Sequence, residues 1–340
     1  MSKKEFVVGI VGVTGAVGEE LLRILDERDF PVKKLVPLAS ARSAGDTIEF
    51  KDKKIKVLET TDSVFKDEGV EIAFFSAGGS VSERFAPSAV KAGAVVIDNT
   101  SFFRMQDSIP LVVPEVNPED IKKDSTIIAN PNCSTIQMVH VLAPLHKAFG
   151  IERVDVSTYQ AVSGAGKKGM EELIMQMQKF FAFELDSVIP KAFQHRIALN
   201  LIPHIDTFLD NGFTKEEMKM INESQKIMHA AFEISATCVR VPILRSHSET
   251  LSIRFKNEVS ADKAREILRS AESVVVIDNP NSNEYPMPLI ATDTDETFVG
   301  RIREDNYDKR ILHLFCVADQ VRVGAATNAV RIAEKWIALH

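Results

Sequence analysis

Seven residues, Gly12-Val13-Thr14-Gly15-Ala16-Val17-Gly18, leave this chain few folds to choose from. They stand at the end of a continuous apolar run at residues 5–13. Such a run fits a strand buried on both faces, as in a parallel sheet. Beyond the turn, Val17, Leu21, Ile24 and Leu25 fall on one helical face. In a strand, glycine turn and helix in that order, the backbone can approach a pyrophosphate and the first helical N–H groups face it. The spacing is GxxGxxG, not the commoner GxGxxG, so the flanking strand and helix carry the assignment. A tight turn without a ligand is the competing reading.

The pattern continues in the same style. Strands are expected at 34–39, 70–76, 94–98, 111–113 and 126–129, with a helix at 81–92. Strands alternating with helices imply a doubly wound parallel sheet. After a helix at 134–149 the texture changes. Strands are expected at 154–162, 239–244, 250–255, 273–277 and 311–317, with helices at 167–182, 214–228 and 261–271. Thr214 and Glu217 form a capping box for the second of these helices. The long intervening segments suggest a mixed or antiparallel sheet covered on one side. A final amphipathic helix is expected at 324–338.

With 340 residues the chain can hold two ordinary domains. Its net charge is −7 and its basic residues are scattered, so neither a nucleic-acid nor a membrane surface is indicated. Anionic ligands must then be held by individual Arg and Lys side chains. Cys133, Cys238 and Cys316 lie far apart without CxxC or Cys/His spacing, which argues against a disulfide framework and any metal site. The apolar strand follows Met1-Ser2-Lys3-Lys4-Glu5 with no apolar leader between, and no run approaches membrane-spanning length. The expected location is the cytoplasm, whose reducing conditions keep a thiol free.

Two stretches carry chemistry. In Ile127-Ile128-Ala129-Asn130-Pro131-Asn132-Cys133-Ser134-Thr135 a buried strand meets a tight turn and then a helix. Asn-Pro keeps the backbone out of the helical region, and Ser134 and Thr135 offer capping oxygens. Cys133 then sits at the positive end of the helix, where a thiolate is favoured and can act as nucleophile. A small core cysteine is the alternative. The second stretch ends the second strand, at Ala39-Ser40-Ala41-Arg42-Ser43-Ala44-Gly45. An NAD site carries an acid there for the ribose hydroxyl, but this chain has none before Asp46. Arg42 can pair with a 2′-phosphate, with Ser40 and Ser43 donating to it, which favours NADP. A polar loop with a solvated Arg is the alternative.

The glycine turn, the Ser-Ala-Arg-Ser-Ala-Gly segment, Asn130-Pro131-Asn132-Cys133-Ser134-Thr135, Tyr159-Gln160-Ala161-Val162-Ser163-Gly164-Ala165-Gly166 and Arg240-Val241-Pro242-Ile243-Leu244-Arg245-Ser246-His247 occur in this order. As a set they resemble the aspartate-semialdehyde dehydrogenase family, over essentially the whole chain. The resemblance implies conversion of 4-aspartyl phosphate to L-aspartate 4-semialdehyde with NADPH, on the route to lysine, threonine and methionine. It implies Cys133 as nucleophile forming a thioacyl enzyme, Gln160 orienting the acyl group and His247 as acid/base. It implies Arg240 on the substrate carboxylate, Glu216 on its amine, and Arg104, Lys219 and Asn132 around the phosphate. For the cofactor it implies Gly12, Thr14, Gly15, Ala16 and Val17 of the turn, Ser40, Arg42 and Ser43, Ser76, Ala77 and Gly78 at a strand end, Ser163 and Gly164 by the nicotinamide, and Asn328. The Met- and Phe-rich helix at 170–183 then fits a subunit interface, as in the family's dimers, with pairing of dimers into tetramers left open. The expected fold is α/β. It has a Rossmann-like doubly wound domain at 1–132 plus 321–340, and an α+β catalytic and dimerisation domain at 133–320. Reductases of N-acetyl-glutamyl phosphate or glyceraldehyde phosphate would share the thiol and cofactor domain. The Asn-Pro-Asn-Cys-Ser-Thr segment and the Glu216, Lys219 and Arg240 set argue against them.

Overall fold

A computed structural model describes residues 4–340. In chain order the elements are β1 (Phe6–Val11), α1 (Ala16–Glu27), β2 (Val32–Ala39), β3 (Thr47–Phe50), β4 (Lys53–Lys56), β5 (Leu58–Glu59), α2 (Val64–Asp67), β6 (Ile72–Phe75), α3 (Gly79–Lys91), β7 (Val95–Asp98) and β8 (Ile127–Ala129). Then come α4 (Cys133–Phe149), β9 (Ile151–Gln160), α5 (Gly166–Phe181), α6 (Lys215–Met228), β10 (Glu233–Arg240), β11 (His247–Phe255), α7 (Ala261–Arg269), β12 (Val274–Val276), α8 (Pro288–Ala291), β13 (Thr297–Glu304), β14 (Ile311–Ala318) and α9 (Asn328–Ala338). The chain divides into two compact units. One holds the residues up to Asn132 together with Ala325–His340, and the other Cys133–Gly324.

The first unit is a six-stranded sheet in the order β5-β2-β1-β6-β7-β8. Every pairing in it is parallel. All residues of β6 and β7 are buried, which is why these strands read as unbroken apolar runs. Leu21, Ile24 and Leu25 of α1 share one core with Ala329, Val330, Ile332 and Ala333 of α9. Each such large side chain, fully buried, contributes roughly 1.5–3 kcal/mol. Ion pairs from Arg28 to Glu334 at 2.6 Å and Arg331 to Glu115 at 2.5 Å fasten α9 to this unit. The expected strand at 111–113 is reduced to a single bridge from Leu111 to Ala129. Pro110 and Pro114 bracket it and cannot donate to a ladder. The β3–β4 hairpin went unforeseen because its turn is Lys51-Asp52, both at positive φ, rather than Asn-Gly.

The second unit is a mixed sheet in the order β10-β9-β11-β14-β13-β12. β10 runs parallel to β9, whereas β11 is antiparallel to both β9 and β14. Helices α4, α6 and α7 bury their apolar faces with alternate residues of the strands, such as Val154, Val156, Leu251 and Ile253. The strand expected at 239–244 instead ends at Arg240 and begins at Glu233. Pro242, two residues on, cannot extend the ladder. β13 was not expected; Gly300 and three charges interrupt its apolar pattern, and its pairing with β14 shifts register between Gly300 and Arg303. The final helix starts at Asn328, after a wider π-helical turn at Arg322–Thr327.

Helix α6 starts where the capping box predicts. Thr214 Oγ1 accepts from the Glu217 N–H at 3.3 Å, and Glu217 Oε2 accepts from the Thr214 N–H at 2.7 Å. The other Glu217 oxygen accepts from the Cys238 N–H at 3.0 Å, pinning α6 to β10. Thr214→Ala is expected to cost about 1 kcal/mol and lower the unfolding midpoint by about 2 °C, read by circular dichroism.

Candidate active site

The first unit carries a cavity of about 440 Å³ at the carboxyl ends of β1, β2 and β6. Its lining includes Gly12, Thr14, Gly15, Ser40, Ser76 and Ala77. Gly12 holds φ at +91°, and a Cβ there would meet Ala77 at 3.0 Å. At Gly18 a Cβ would lie 2.3 Å from the Gly12 carbonyl oxygen, so only glycine lets α1 seat against the turn. Gly15 caps α1 without a side-chain oxygen, which leaves the first amides of the helix for an anion. Asn328 donates from Nδ2 to the Val112 carbonyl at 3.0 Å and to Asn130 Oδ1 at 2.7 Å. Its buried Oδ1 takes no hydrogen bond and could accept one from a carboxamide. These groups fit a nicotinamide dinucleotide. Arg104, also in this unit, is buried and donates to the Asn130 and Asn99 carbonyls at 2.9 and 2.8 Å.

In the second unit, strand directions gather the chemistry at one end of the sheet. Gln160 ends β9 and Arg240 ends the parallel β10, opposite each other in register. β11 runs the other way and begins at His247. The Ala161 N–H donates to His247 Nδ1 at 3.1 Å, and the Ala161 carbonyl accepts from Arg240 Nη1 at 2.6 Å. The backbone of one residue thus fixes both side chains. Because Nδ1 accepts, the proton of the neutral ring lies on Nε2, which is buried and has no partner. Burial, then the Arg240 guanidinium, holds the His247 pKa well below the usual value, so the ring is neutral near pH 7. Burial also lowers the Arg240 pKa, opposed by Glu216 and by Cys133.

Glu216 is shared. Its Oε1 accepts from Gln160 Nε2 at 3.2 Å and its Oε2 from Lys219 Nζ at 3.1 Å. Lys219 also donates to Asp206 Oδ2 at 2.7 Å. Burial would push the Lys219 pKa down, but the two carboxylates outweigh it and hold the ammonium above its usual value. Cys133 opens α4 and is partly exposed, whereas Cys238 and Cys316 are buried. Burial pushes both of those thiols up and keeps them protonated. Two glycines shape the space. A Cβ at Gly164 would lie 2.7 Å from Arg240 Nη1 and 3.3 Å from the His247 ring, and one at Gly324 would lie 2.6 Å from the Cys133 Cβ.

Residues 7–124 match the family model described as semialdehyde dehydrogenase, NAD binding domain, and residues 142–323 the one described as semialdehyde dehydrogenase, dimerisation domain. The aspartate-semialdehyde dehydrogenase of Campylobacter jejuni is 65 % identical over 341 residues, covering 100 % of this chain and 99 % of its own. The chain belongs to the aspartate-semialdehyde dehydrogenase family. A Helicobacter pylori enzyme of that name is 57 % identical, covering 98 % of this chain and 99 % of its own. The crystal structure of Vibrio cholerae aspartate semialdehyde dehydrogenase II complexed with ASA superposes with a TM-score of 0.95 at 45 % identity, covering 99 % of each chain. The Candida albicans enzyme with NADP gives 0.75 at 26 % identity, covering 98 % of each.

This aspartate-semialdehyde dehydrogenase family member is therefore an oxidoreductase acting on an aldehyde group, with a nicotinamide cofactor. The dimerisation-domain match supports an oligomer, and no described helix is long and apolar enough to cross a membrane. Of the residues singled out from sequence, Gln160, Glu216 and Lys219 are joined in the second unit by hydrogen bonds, and Arg240 and His247 through the Ala161 backbone. Ser163 accepts a hydrogen bond from the Gln320 amide, whose oxygen takes the Ser246 N–H at 2.8 Å. Asn132 is buried at the end of the first unit. Ala16, Val17, Arg42, Ser43 and Gly78 are not in the lining of the first unit's cavity, and Arg42 is exposed on the turn at 41–45. Glu59, Thr60 and Arg84 do line it and were missed. Glu59 comes from β5, paired beside Ala39, and no local pattern marks it. Asp206, Ala161, Gln320 and Gly324 meet the second unit's candidate residues through contacts that sequence spacing does not encode.

Glu249, two residues past His247 on the same buried face, faces Cys316 at 3.5 Å and Gln137. Burial raises its pKa well above the usual value, so the folded protein keeps it protonated. Below pH 4.5 both states bind that proton; above it the unfolded state releases it and gains. The contribution is thus lost as pH rises toward the folded pKa. Glu249→Gln is expected to raise the melting temperature at pH 7–8, with the gain shrinking to nothing near pH 4. His247 acts oppositely: its stability is present above about pH 6.5 and is lost as pH falls toward the folded pKa.

Proposed function

We propose that this protein interconverts 4-aspartyl phosphate and L-aspartate 4-semialdehyde with NADP, through a thioester on Cys133. The gathering of Gln160, Glu216, Lys219, Arg240 and His247 in one unit with the partly exposed Cys133 carries this reading. The Cys133 thiolate attacks the acyl phosphate carbon and the bond to the phosphate oxygen breaks. Arg104, Lys219 and Asn132 hold the leaving phosphate, Arg240 clamps the α-carboxylate and Glu216 takes the ammonium. The Gln160 amide orients the acyl group. Reduced nicotinamide, when bound, supplies the hydride that converts the thioester to the aldehyde level. His247 Nε2–H gives its proton to the tetrahedral oxygen, then takes it back as the carbon–sulfur bond breaks and the aldehyde forms.

The residues up to 132 with the carboxyl-terminal helix hold the cofactor, and the rest catalyse and dimerise. Gly12, Thr14, Gly15, Ala16 and Val17 cradle the pyrophosphate, with Ser76, Ala77 and Gly78 beside it. Asn328 in the first unit would hold the nicotinamide carboxamide, and Ser163 and Gly164 are the second unit's candidates for a contact with the cofactor. Ser40, Arg42 and Ser43 favour NADP through its 2′-phosphate, while Glu59 and Arg84 add one charge of each sign to the cavity. The enzyme works as a cytoplasmic homodimer in the synthesis of lysine, threonine and methionine. The deciding assay is reduction of NADP by L-aspartate 4-semialdehyde, with and without phosphate and beside NAD. Turnover that needs phosphate and prefers NADP supports the reading; a folded protein that binds NADP without turnover overturns the substrate.

A further inference from the structure

Thr158 is fully buried, two residues before Gln160 on the same face of β9. Its hydroxyl donates to Gln160 Oε1 at 2.9 Å. The Gln160 amide nitrogen is thereby turned toward Glu216 Oε1, 3.2 Å away. We propose that Thr158 is a positioning residue that sets which end of the Gln160 amide faces the substrate. The inference rests on the reading above, in which Gln160 orients the acyl group.

The hydrogen bonds form a directed chain. Thr158 has one hydroxyl proton, and it is committed to Gln160. Cys238 is its neighbour in register across the β9–β10 ladder. Burial keeps that thiol protonated, and its proton is directed at Met220 Sδ, 3.7 Å away. The donors therefore run from Thr158 to Gln160 and on to the Glu216 carboxylate, which accepts from both Gln160 and Lys219. Reversing the amide would set its oxygen against the Glu216 carboxylate and would require the Thr158 hydroxyl to accept from the amide nitrogen instead of donating to the oxygen. Glu216 alone could enforce the orientation only in the free enzyme. Once a substrate ammonium takes Glu216, Thr158 remains to hold the amide.

Thr158→Val keeps the volume and β-branching but removes the hydroxyl, whereas Thr158→Ser keeps the hydroxyl and removes a methyl group. A residue that only packs would suffer more from Ser. A residue that orients Gln160 suffers more from Val. The expected result is a kcat about tenfold lower for Val, with KM within about twofold and Ser near the parent. In a Gln160→Ala background the Val substitution should add no further loss. Thr158→Ala replaces Val in the comparison if the Val protein melts below the assay temperature. The side-chain amide signal of Gln160 in a 15N–1H spectrum, assigned by its loss in Gln160→Ala, reads the same orientation without turnover. It should broaden or shift in the Val protein and persist in Ser. An unchanged signal in Val, parental kcat in Val, Ser impaired as much as Val, or undiminished loss in the Gln160→Ala background overturns the inference. A parent that binds NADP but does not oxidise the semialdehyde counts against the proposed function, and the amide signal still decides the role of Thr158.

Discussion

Cys133→Ser is expected to lower turnover by about 10⁴-fold or more, because a serine hydroxyl without a strong base beside it is a far weaker nucleophile than a thiolate. The one imidazole tied into the second-unit cluster, His247, presents Nε2–H rather than a lone pair and is held neutral by burial and Arg240. It can return a proton but is poorly set to activate serine. The substitution is close to isosteric at the first residue of α4, so folding should be unaffected. Circular dichroism and NADP binding should match the parent while phosphate-dependent NADP reduction disappears. Intact-mass analysis after incubation with the acyl phosphate should find an adduct on the parent and none on the variant. A variant that keeps a tenth of the parental rate would mean that another group carries the covalent step.

Gly324→Ala is expected to reduce kcat by about a hundredfold, since misplacing a reacting group by an ångström costs about that much. Its new Cβ would lie 2.6 Å from the Cys133 Cβ and 2.9 Å from the Cys133 Cα. Neither atom is the loose end of a flexible side chain, so the first turn of α4 or the π-helical turn at Arg322–Thr327 must move. The second is the stiffer, because the buried Asp319 takes the N–H groups of Val321 and Arg322 at 3.0 and 3.3 Å. The displacement therefore falls on Cys133. The overpacking should also cost about 1–3 kcal/mol of stability. Steady-state kinetics and the rate of Cys133 alkylation read the two consequences separately. Parental kinetics with an unchanged alkylation rate would show that the turn yields instead.

The parallel sheet of the first unit was legible because strands covered on both faces are continuous apolar runs, and because Gly12, Gly15 and Gly18 punctuate the first one. The capping box of α6 was legible because it is a four-residue pattern. The second unit was harder to read. Gly300 and the charges of β13 break its periodicity, and Pro242 ends β10 earlier than its apolar neighbours suggest. For the cavity of the first unit, the end of β2 showed Ser40, yet Glu59 and Arg84 enter from elements whose own sequences carry no ligand signature.

The sequence by itself determined the α/β class, the family, and the residue types on which an acyl-phosphate chemistry could draw. Those follow from local periodicity and from short motifs, each of which is complete within a few residues. Only the tertiary structure decided how those residues constrain one another. The antiparallel β11 brings His247 to the end of the sheet where β9 and β10 finish, and the Ala161 backbone then settles both the tautomer of His247 and the position of Arg240. Asp206 reaches Lys219, Thr158 turns Gln160, and Gly324 leaves room for Cys133. Strand register and close approach are made by chain segments distant in sequence. Their energies depend on contacts that exist only once the sheet has formed.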